Sequence, residues 1–516
     1  MAERHQLGAS QGMSNLLKNI GSNWVVTFAT VAATYVLTPF LIHKLGTEGY
    51  GTWVLITSIT GYLGLLILGV PMASVRYFAE HVADGDRQKM NETIGSSMGI
   101  YTSMGVVVLI IGAGLFVFFS QGYTIPPTWQ SDARLAFALI VLYVSLGFVG
   151  ILPEGIMMAH HDFIVRNVIV LSVLLLRLGL SLAMLIYFPS LALLAFIQIL
   201  CLMVDFWASM FLIKRRYKGL SISLGNFSWT VVRRIFSFSL FVLILNLGGL
   251  LSFQTDSIVI GAFLDVKQIP FYTVANSFLV YLIQFIVAIA AVLMPIATKL
   301  NTEGRTSELK EIFLKWSKIS FSLTLFSGLF LIILGPRFIA WWISPSFEAP
   351  AGDVLQILML SGIVFLPVRG VAQPMLMGLG KVVVPTVAFL ASGVLNLALS
   401  ILLVKSIGLR GVAVGTAVPT VLFSLIMLAY TCRVLGVPLL AYIRYVILRA
   451  LVGAIPLLAL LLWLRIGWKV QSFYGLALSG FAASLSFALL WIFFVYRNDP
   501  YVQLSSLLRR LRRRVK

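Results

Sequence analysis

The sequence predicts an all-α integral membrane protein of about 14 transmembrane helices, since about 20 mainly apolar residues cross a bilayer core and such stretches fill the chain. Composition agrees: 59% of residues are hydrophobic, 11% are charged and mean hydropathy is +0.99, whereas soluble domains average about 45–50% apolar and about 25% charged. The placement of charge agrees as well, because Lys and Arg collect in alternate connections between the apolar stretches. Nothing large enough to form a separate water-soluble domain is left over.

The predicted spans lie near 20–42, 50–74, 95–119, 134–158, 164–187 and 190–213, then 236–263, 271–296, 313–335, 352–377, 382–404 and 411–434, and finally 441–464 and 473–496. With the N-terminus inside, the inner connections hold Arg76, Arg87, Lys89, Arg166, Lys214, Arg215, Arg216, Lys218, Arg233, Arg234 and the 299–318 run. Lys381, Arg433, Arg444, Arg449, Arg497 and the tail "LLRRLRRRVK" lie inside too. Outer connections hold Lys44, Arg134, Lys267, Arg337, Lys405, Arg410, Arg465 and Lys469. The inner excess of about three to one places both termini in the cytoplasm and makes the span count even. The longest outer loops are expected around 121–132 and 335–350, too short for an outer catalytic domain.

The expected organisation is a cytoplasmic N-terminal segment (1–18), a first six-helix lobe (19–213), a basic linker (214–235), a second six-helix lobe (236–435), two further helices (436–496) and a basic cytoplasmic tail (497–516). A basic tail at the inner leaflet gains about 1 kcal/mol per Lys or Arg from anionic lipids, and it is expected to lie there as a short amphipathic helix. Met13 opens a second candidate start, so residues 1–12 are expected to be dispensable, and no cleavable signal is read. The net charge of +20 follows topology and forms no aromatic-interleaved groove, which argues against nucleic acid. Cys201 and Cys432 sit in apolar segments and support neither a disulfide framework nor a metal site; His160 and His161 beside Asp162 read as a solvated turn.

An internal repeat joins the two lobes. A shift of 219 residues lays "LGTEGYGTWVL" (45–55) on "LDVKQIPFYTV" (264–274), Gly85, Asp86 and Arg87 on Gly304, Arg305 and Thr306, and "MMAHHDF" (157–163) on "LMGLGKV" (376–382). The shift spans an even number of helices, so the halves are parallel, related by an axis along the membrane normal.

The segments "YVLTPFLIHKLGTEGYGTWVLITSITGYLGLLILGV", "DSIVIGAFLDVKQIPFYTVANSF", "VLMPIATKLNTEG" and "MGLGK" are similar to the polysaccharide-transporter branch of the multidrug/oligosaccharidyl-lipid/polysaccharide exporter superfamily, which includes Wzx-type O-antigen flippases. The resemblance covers essentially the whole chain. It implies a two-lobed transporter of 12 or 14 helices that moves lipid-linked oligosaccharide to the outer leaflet. Where relatives often carry Gly-x-Tyr before the eighth span, this chain has Pro270, Phe271 and Tyr272, which leaves the turn geometry there open.

A sugar head group needs a polar path through hydrocarbon. In the first span Asn23, Thr27, Thr30, Thr34 and Thr38 share one helix face and read either as a cavity wall or as contacts to neighbouring helices. Asn246 and Gln254 in the seventh span and Asn276 and Gln284 in the eighth are further candidate lining residues; in the family fold these helices line the seam between lobes. Arg177 lies near the middle of the fifth span, and Arg369 lies between Pro367 and Pro374, where a broken helix is expected. Each reads either as a ligand for the carrier pyrophosphate, which a guanidinium fork matches, or as an internal partner of Asp205 or Glu154. Asp256 reads as a coupling or gating carboxyl, or as an ordinary helix–helix hydrogen bond, with Glu154 as second choice. No cofactor is expected beyond a coupling H+ or Na+.

The expected activity is therefore a flippase for undecaprenyl-pyrophosphate-linked oligosaccharide in the bacterial cytoplasmic (inner) membrane, and not an enzyme. A lipid II-type flippase and an exporter of small cations remain as alternatives. A membrane glycosyltransferase or polymerase is disfavoured because paired carboxylates and a large outer loop are missing, and no phosphate-binding GxxxxGKS loop points to ATP. Expected partners are the lipid-linked oligosaccharide and membrane lipids, with a polysaccharide polymerase or glycosyltransferases as further candidates. One chain suffices for both lobes.

Overall fold

Seventeen α-helices carry the chain, joined by short turns and 3-10 or π segments, with no strand among the described residues. The structure is a computed structural model that describes residues 2–67, 69–290, 292–468, 472–497 and 499–502; the side chains of 2–20, 237–246, 253, 288–290 and 473 lie outside that description. In order, the helices are α1 Ala2–Gly61, α2 Val70–Asp84, α3 Arg87–Gly122, α4 Pro127–Ala159, α5 Phe163–Leu185 and α6 Leu191–Arg216, followed by α7 Trp229–Phe253, α8 Thr255–Phe263 and α9 Ile269–Ala290. Then come α10 Leu293–Thr302, α11 Thr306–Trp342, α12 Glu348–Pro367, α13 Gln373–Gly378, α14 Val383–Leu435, α15 Leu439–Tyr442, α16 Arg449–Ile466 and α17 Phe473–Leu490.

Among the described residues, 11 helices are long and apolar enough to cross a membrane. The expected number of spans is not reproduced, for identifiable reasons. The first two predicted spans run together in α1 across a kink at Gly46 (φ 69°, ψ 174°), and the eleventh and twelfth run together in α14 across Ile407 and Gly408 (φ 60°). The seventh is divided at Gln254 between α7 and α8. The two loops expected to be longest are shorter than predicted, because helix continues past the apolar stretch: α3 ends at Gly122 and α4 begins at Pro127, while α11 runs to Trp342 and α12 begins at Glu348. Of the basic tail (497–516), residues 498 and 503–516, with the run of arginines, lie outside the described residues.

The chain forms two compact units, one of Met1–Leu247 with Asp265–Ile269, the other of Gly248–Leu264 with Pro270–Lys516. In the first unit, α4 packs on α3 and α6, and α5 lies against α1 and α6. Asp132 of α4 ties down the start of α6, accepting from the Leu191 N–H at 2.6 Å, the Ala192 N–H at 3.2 Å and the Ser190 hydroxyl at 2.8 Å. A carboxylate there satisfies orphan donors and complements the helix dipole. The basic segment after α6 is strapped along α3: Asn91 donates to Gly219 O at 3.3 Å and accepts from Ser221 N–H at 2.8 Å, and Ser96 exchanges bonds with both backbone groups of Ser228.

In the second unit α11 packs on α12 and on α16, and α12 on α14. The two limbs of α14 approach closely where Gly415 faces Ser400; a Cβ there would lie 2.4 Å from the Ser400 hydroxyl. The last helix is pinned by a fully buried ion pair of Lys318 and Asp499. Lys318 also donates to Val495 O at 3.2 Å, while Asp499 accepts from the Tyr445 hydroxyl at 2.6 Å and the Val502 N–H at 2.9 Å. Burial alone would raise the Asp499 pKa, but Lys318, Tyr445 and the Val502 N–H together hold it below the usual carboxylate value. Its contribution to stability is therefore complete above the ordinary aspartate pKa of 3.8 and fades as pH falls through the depressed one.

The repeat appears in the backbone. Gly85 (φ 68°) and Gly304 (φ 69°), 219 residues apart, both end helices in the left-handed conformation, with Asp86 N–H bonded to His81 O and Arg305 N–H to Leu300 O. His161 (φ 59°) and Gly380 (φ 70°) form a second matched pair at the same offset, with Asp162 N–H on Met157 O and Lys381 N–H on Leu376 O. This is the helix-ending turn that glycine favours. Pro270 stands in the first turn of α9, where its missing N–H costs nothing, after a 3-10 turn capped by Asp265; this answers the turn geometry left open by the departure from Gly-x-Tyr. His161 is the only described residue other than glycine with positive φ. Replacing it, His161→Gly, should stabilise the protein by up to about 1 kcal/mol, and Gly380→His should destabilise it. Thermal unfolding in detergent checks both signs.

Candidate functional site

Arg166 stands in the first turn of α5, and Arg177 follows eleven residues later, about 16 Å further along the helix at 1.5 Å per residue. The two guanidinium groups meet different fates. Arg166 forms a fork with Asp205 of α6, whose second contact is 3.1 Å, and donates to Glu154 of α4 at 3.3 Å. Asp205 also accepts from the Ser209 hydroxyl at 3.3 Å. Both acids considered as partners for Arg177 are thus taken by Arg166, and Arg177 forms no ion pair with any described residue.

Arg177 instead lines a cavity of about 220 Å3 inside the first unit, among α1, α4, α5 and α6. Thr30, Tyr143 and Gln198 supply polar atoms to its wall, Val170, Val173 and Leu174 an apolar side, and Arg166 and Asp205 one end. The cavity thus combines a guanidinium that forms no ion pair, neutral hydroxyl and amide groups beside it, and at one end a second guanidinium shared by two carboxylates. Of the first-span stripe, Thr30 reaches this wall. Thr27, Thr30 and Thr34 donate to their own helix, to the carbonyls of Asn23, Val26 and Thr30 at 2.9 Å each, which satisfies their protons and leaves oxygen lone pairs as acceptors. Asn23 is exposed and accepts from the Asn167 amide at 2.6 Å.

The second unit holds a separate polar cluster. Asp256, in the first turn of α8, is 1% exposed. One carboxylate oxygen accepts from the Tyr272 hydroxyl at 2.6 Å and from the Thr416 hydroxyl at 3.1 Å; the other has no hydrogen-bond partner among the described residues. Asn396 donates to Thr416 at 3.0 Å and to the Ser252 carbonyl at 3.3 Å, and Ser400 continues the chain. A buried carboxylate oxygen with nothing to accept from is costly unless a proton or a cation joins it. Asn276 likewise buries an unpartnered side-chain oxygen.

Arg369 lies in a π-helical turn, Val368–Ala372, so the helix between the two prolines is widened and not broken. A π turn absorbs the missing proline N–H groups without ending the helix. Its guanidinium donates to Gln373 and lies 5.0 Å from the Phe389 ring centroid. Gln254 and Gln284 are exposed, and the side chain of Asn246 lies outside the described residues. Thr30 and Arg177, with Glu154 joined to them through Arg166, therefore come together in the first unit, and Asp256 and Arg369 belong to the second.

Sequence reasoning missed Arg166, which reads as an ordinary inner-loop charge, and missed Tyr272, Asn396, Ser400 and Thr416. The signal for the last three was available: Asn396 and Ser400, and Thr416, Thr420 and Ser424, recur at steps of four like the first-span threonines.

The family "Polysaccharide biosynthesis protein" matches residues 16–301. "Uncharacterized membrane protein EpsK" of Bacillus subtilis (strain 168) is 20% identical over 485 residues, covering 91% of this chain and 93% of its own length. A "Putative O-antigen transporter" of Shigella flexneri is 22% identical over 397 residues, covering 75% of this chain and 91% of its own. Among solved structures, an inward-facing multidrug resistance MATE transporter of the MOP superfamily aligns with a TM-score of 0.68 at 15% identity, covering 80% of this chain and 98% of that one. The lipid II flippase MurJ, in an inward closed conformation, aligns with a TM-score of 0.65 at 15% identity, covering 92% and 99%. These likenesses establish the fold.

Removing the shared partner should expose how the first unit balances its charges. Arg166→Leu leaves two partly buried acids without their shared partner and should cost about 1–3 kcal/mol, read as a lower thermal midpoint. Adding Asp205→Leu should recover part of the loss. No loss in the single variant would contradict the pairing.

Proposed function

The chain belongs to the polysaccharide biosynthesis protein family, and from that premise we propose that it moves an oligosaccharide linked to undecaprenyl pyrophosphate from the inner to the outer leaflet of the bacterial cytoplasmic membrane, by alternating access. The observation that carries the reading is the unpaired Arg177 facing a polar cavity inside a helical bundle. A guanidinium held there offers forked donors to diphosphate oxygens, Gln198 and Thr30 serve sugar hydroxyls, and the carrier's polyprenyl tail stays in lipid.

The positive-inside bias supports an orientation with both termini cytoplasmic, so the basic faces of the bundle meet the substrate where it is made. Asp256 is the group proposed to couple transport to an ion gradient: its open oxygen would take a proton or a sodium ion, and the Tyr272 and Thr416 bonds would hold the other oxygen in place. A fixed cation in the cavity disfavours small organic cations as cargo. A lipid II-type substrate shares the diphosphate chemistry and differs only in its sugar and peptide.

In cells whose surface polysaccharide depends on this chain, Arg177→Ala should abolish export while the protein inserts at normal levels, and Arg177→Lys should retain a fraction. Full export by Arg177→Ala would contradict the reading. In proteoliposomes, Asp256→Asn should remove the response to a proton or sodium gradient; wild-type transport indifferent to both gradients would remove the coupling role.

A further inference from the structure

A second cavity, of about 470 Å3, opens in the first unit among the end of α2, the start of α3, the α4–α5 turn and the strapped segment after α6. It shares no lining residue with the Arg177 cavity. His81, Arg87, His160, Arg216, Tyr217 and Lys218 give it its chemistry.

The charge balance on its walls is positive. Asp86, the one acid lining it, is engaged by Lys89, whose ammonium lies 2.9 Å away and whose N–H it accepts at 3.0 Å. Asp162, just behind the wall, is shared by Arg216 at 3.1 Å and by the Tyr217 hydroxyl. Arg87 and Lys218 are exposed and form no ion pair with any described residue. His81 also lines the cavity; it is 7% exposed and its Nδ1 atom is buried.

The walls are also built to hold still. The strap is bonded to Asn91 and Ser96 of α3, and Tyr217 stacks on His160 with ring centroids 3.9 Å apart. Gly219 takes φ +93°, and the Arg87 guanidinium lies against it, 3.2 Å from where a Cβ would be. Burial first, and then the Asp162 acceptor, push the Tyr217 hydroxyl pKa up, so it stays a donor at any physiological pH.

We propose that this cavity is a binding site for a phosphate or diphosphate group, separate from the Arg177 cavity and gripped by Arg87 and Lys218. Guanidinium and ammonium together match the several acceptor oxygens of such a group. The same chemistry is offered by the head group of an anionic lipid at the bilayer surface and by a water-exposed phosphate ester. The site does not depend on what the chain transports.

The test is calorimetric titration of inorganic pyrophosphate into the full chain in phosphatidylcholine nanodiscs. Saturable binding is expected, weakened about tenfold or more in the Arg87→Gln/Lys218→Gln double variant and largely kept by Arg87→Lys/Lys218→Arg; an Arg177→Ala background removes diphosphate binding at the other cavity, and the same difference between these variants is expected in it. Both altered positions are exposed, so folding is spared. With phosphatidylglycerol in the nanodiscs, a lower apparent affinity supports the proposal with lipid head groups as occupant; an unchanged affinity supports it with a phosphate ester from the aqueous side. Absence of saturable binding in the Arg177→Ala background, or equal binding there with and without the Arg87→Gln/Lys218→Gln changes, would overturn it.

Discussion

A guanidinium at membrane depth has to be compensated, and in the first unit the nearest compensating groups are committed elsewhere. Glu154 and Asp205 reach Arg166 from two different helices, α4 and α6, and make its side chain the joint between them. That pairing has two consequences. It removes a large desolvation cost at the start of α5, and it leaves Arg177, three turns deeper, with a full charge facing a cavity. An insertion cost of about 2.5–3.5 kcal/mol for an arginine at the centre of a span is retained only where surrounding water or a ligand offsets it. An anionic cargo would be selected by this one guanidinium that forms no ion pair.

The fold class was legible because hydrocarbon permits so few solutions: backbone groups must be satisfied within the segment, so long apolar stretches become helices. The place of Arg177 well inside an apolar helix was legible by counting along its span, and so was the threonine face that carries Thr30. The partners were not. Arg166 and Asp205 are 39 residues apart, and Asp256 and Thr416 are 160 apart; such pairs exist only after packing. Helix ends were also hard to read, because helices such as α3 and α11 continue well past their apolar stretches.

The repeat offset of 219 residues was visible through three weak sequence matches, and two of those positions adopt the same left-handed helix-ending turn. Turns of this kind are maintained by backbone geometry and tolerate drift in side-chain identity, which explains why the structural match is stronger than the sequence match. The two halves have nevertheless diverged in chemistry. The first carries Arg177 and a second, basic cavity, and the second carries Asp256 with one carboxylate oxygen open. Under the proposed function, one half would hold an anion and the other a proton or sodium ion.

The most direct test of an anionic, lipid-linked cargo is to remove the gene for this chain from its host and measure lipid-linked intermediates in the inner membrane by mass spectrometry. The account predicts accumulation of an undecaprenyl-pyrophosphate-linked oligosaccharide on the cytoplasmic side, with sensitivity to cationic drugs unchanged. Accumulation of no such intermediate, together with a rise in sensitivity to cationic drugs, would contradict it.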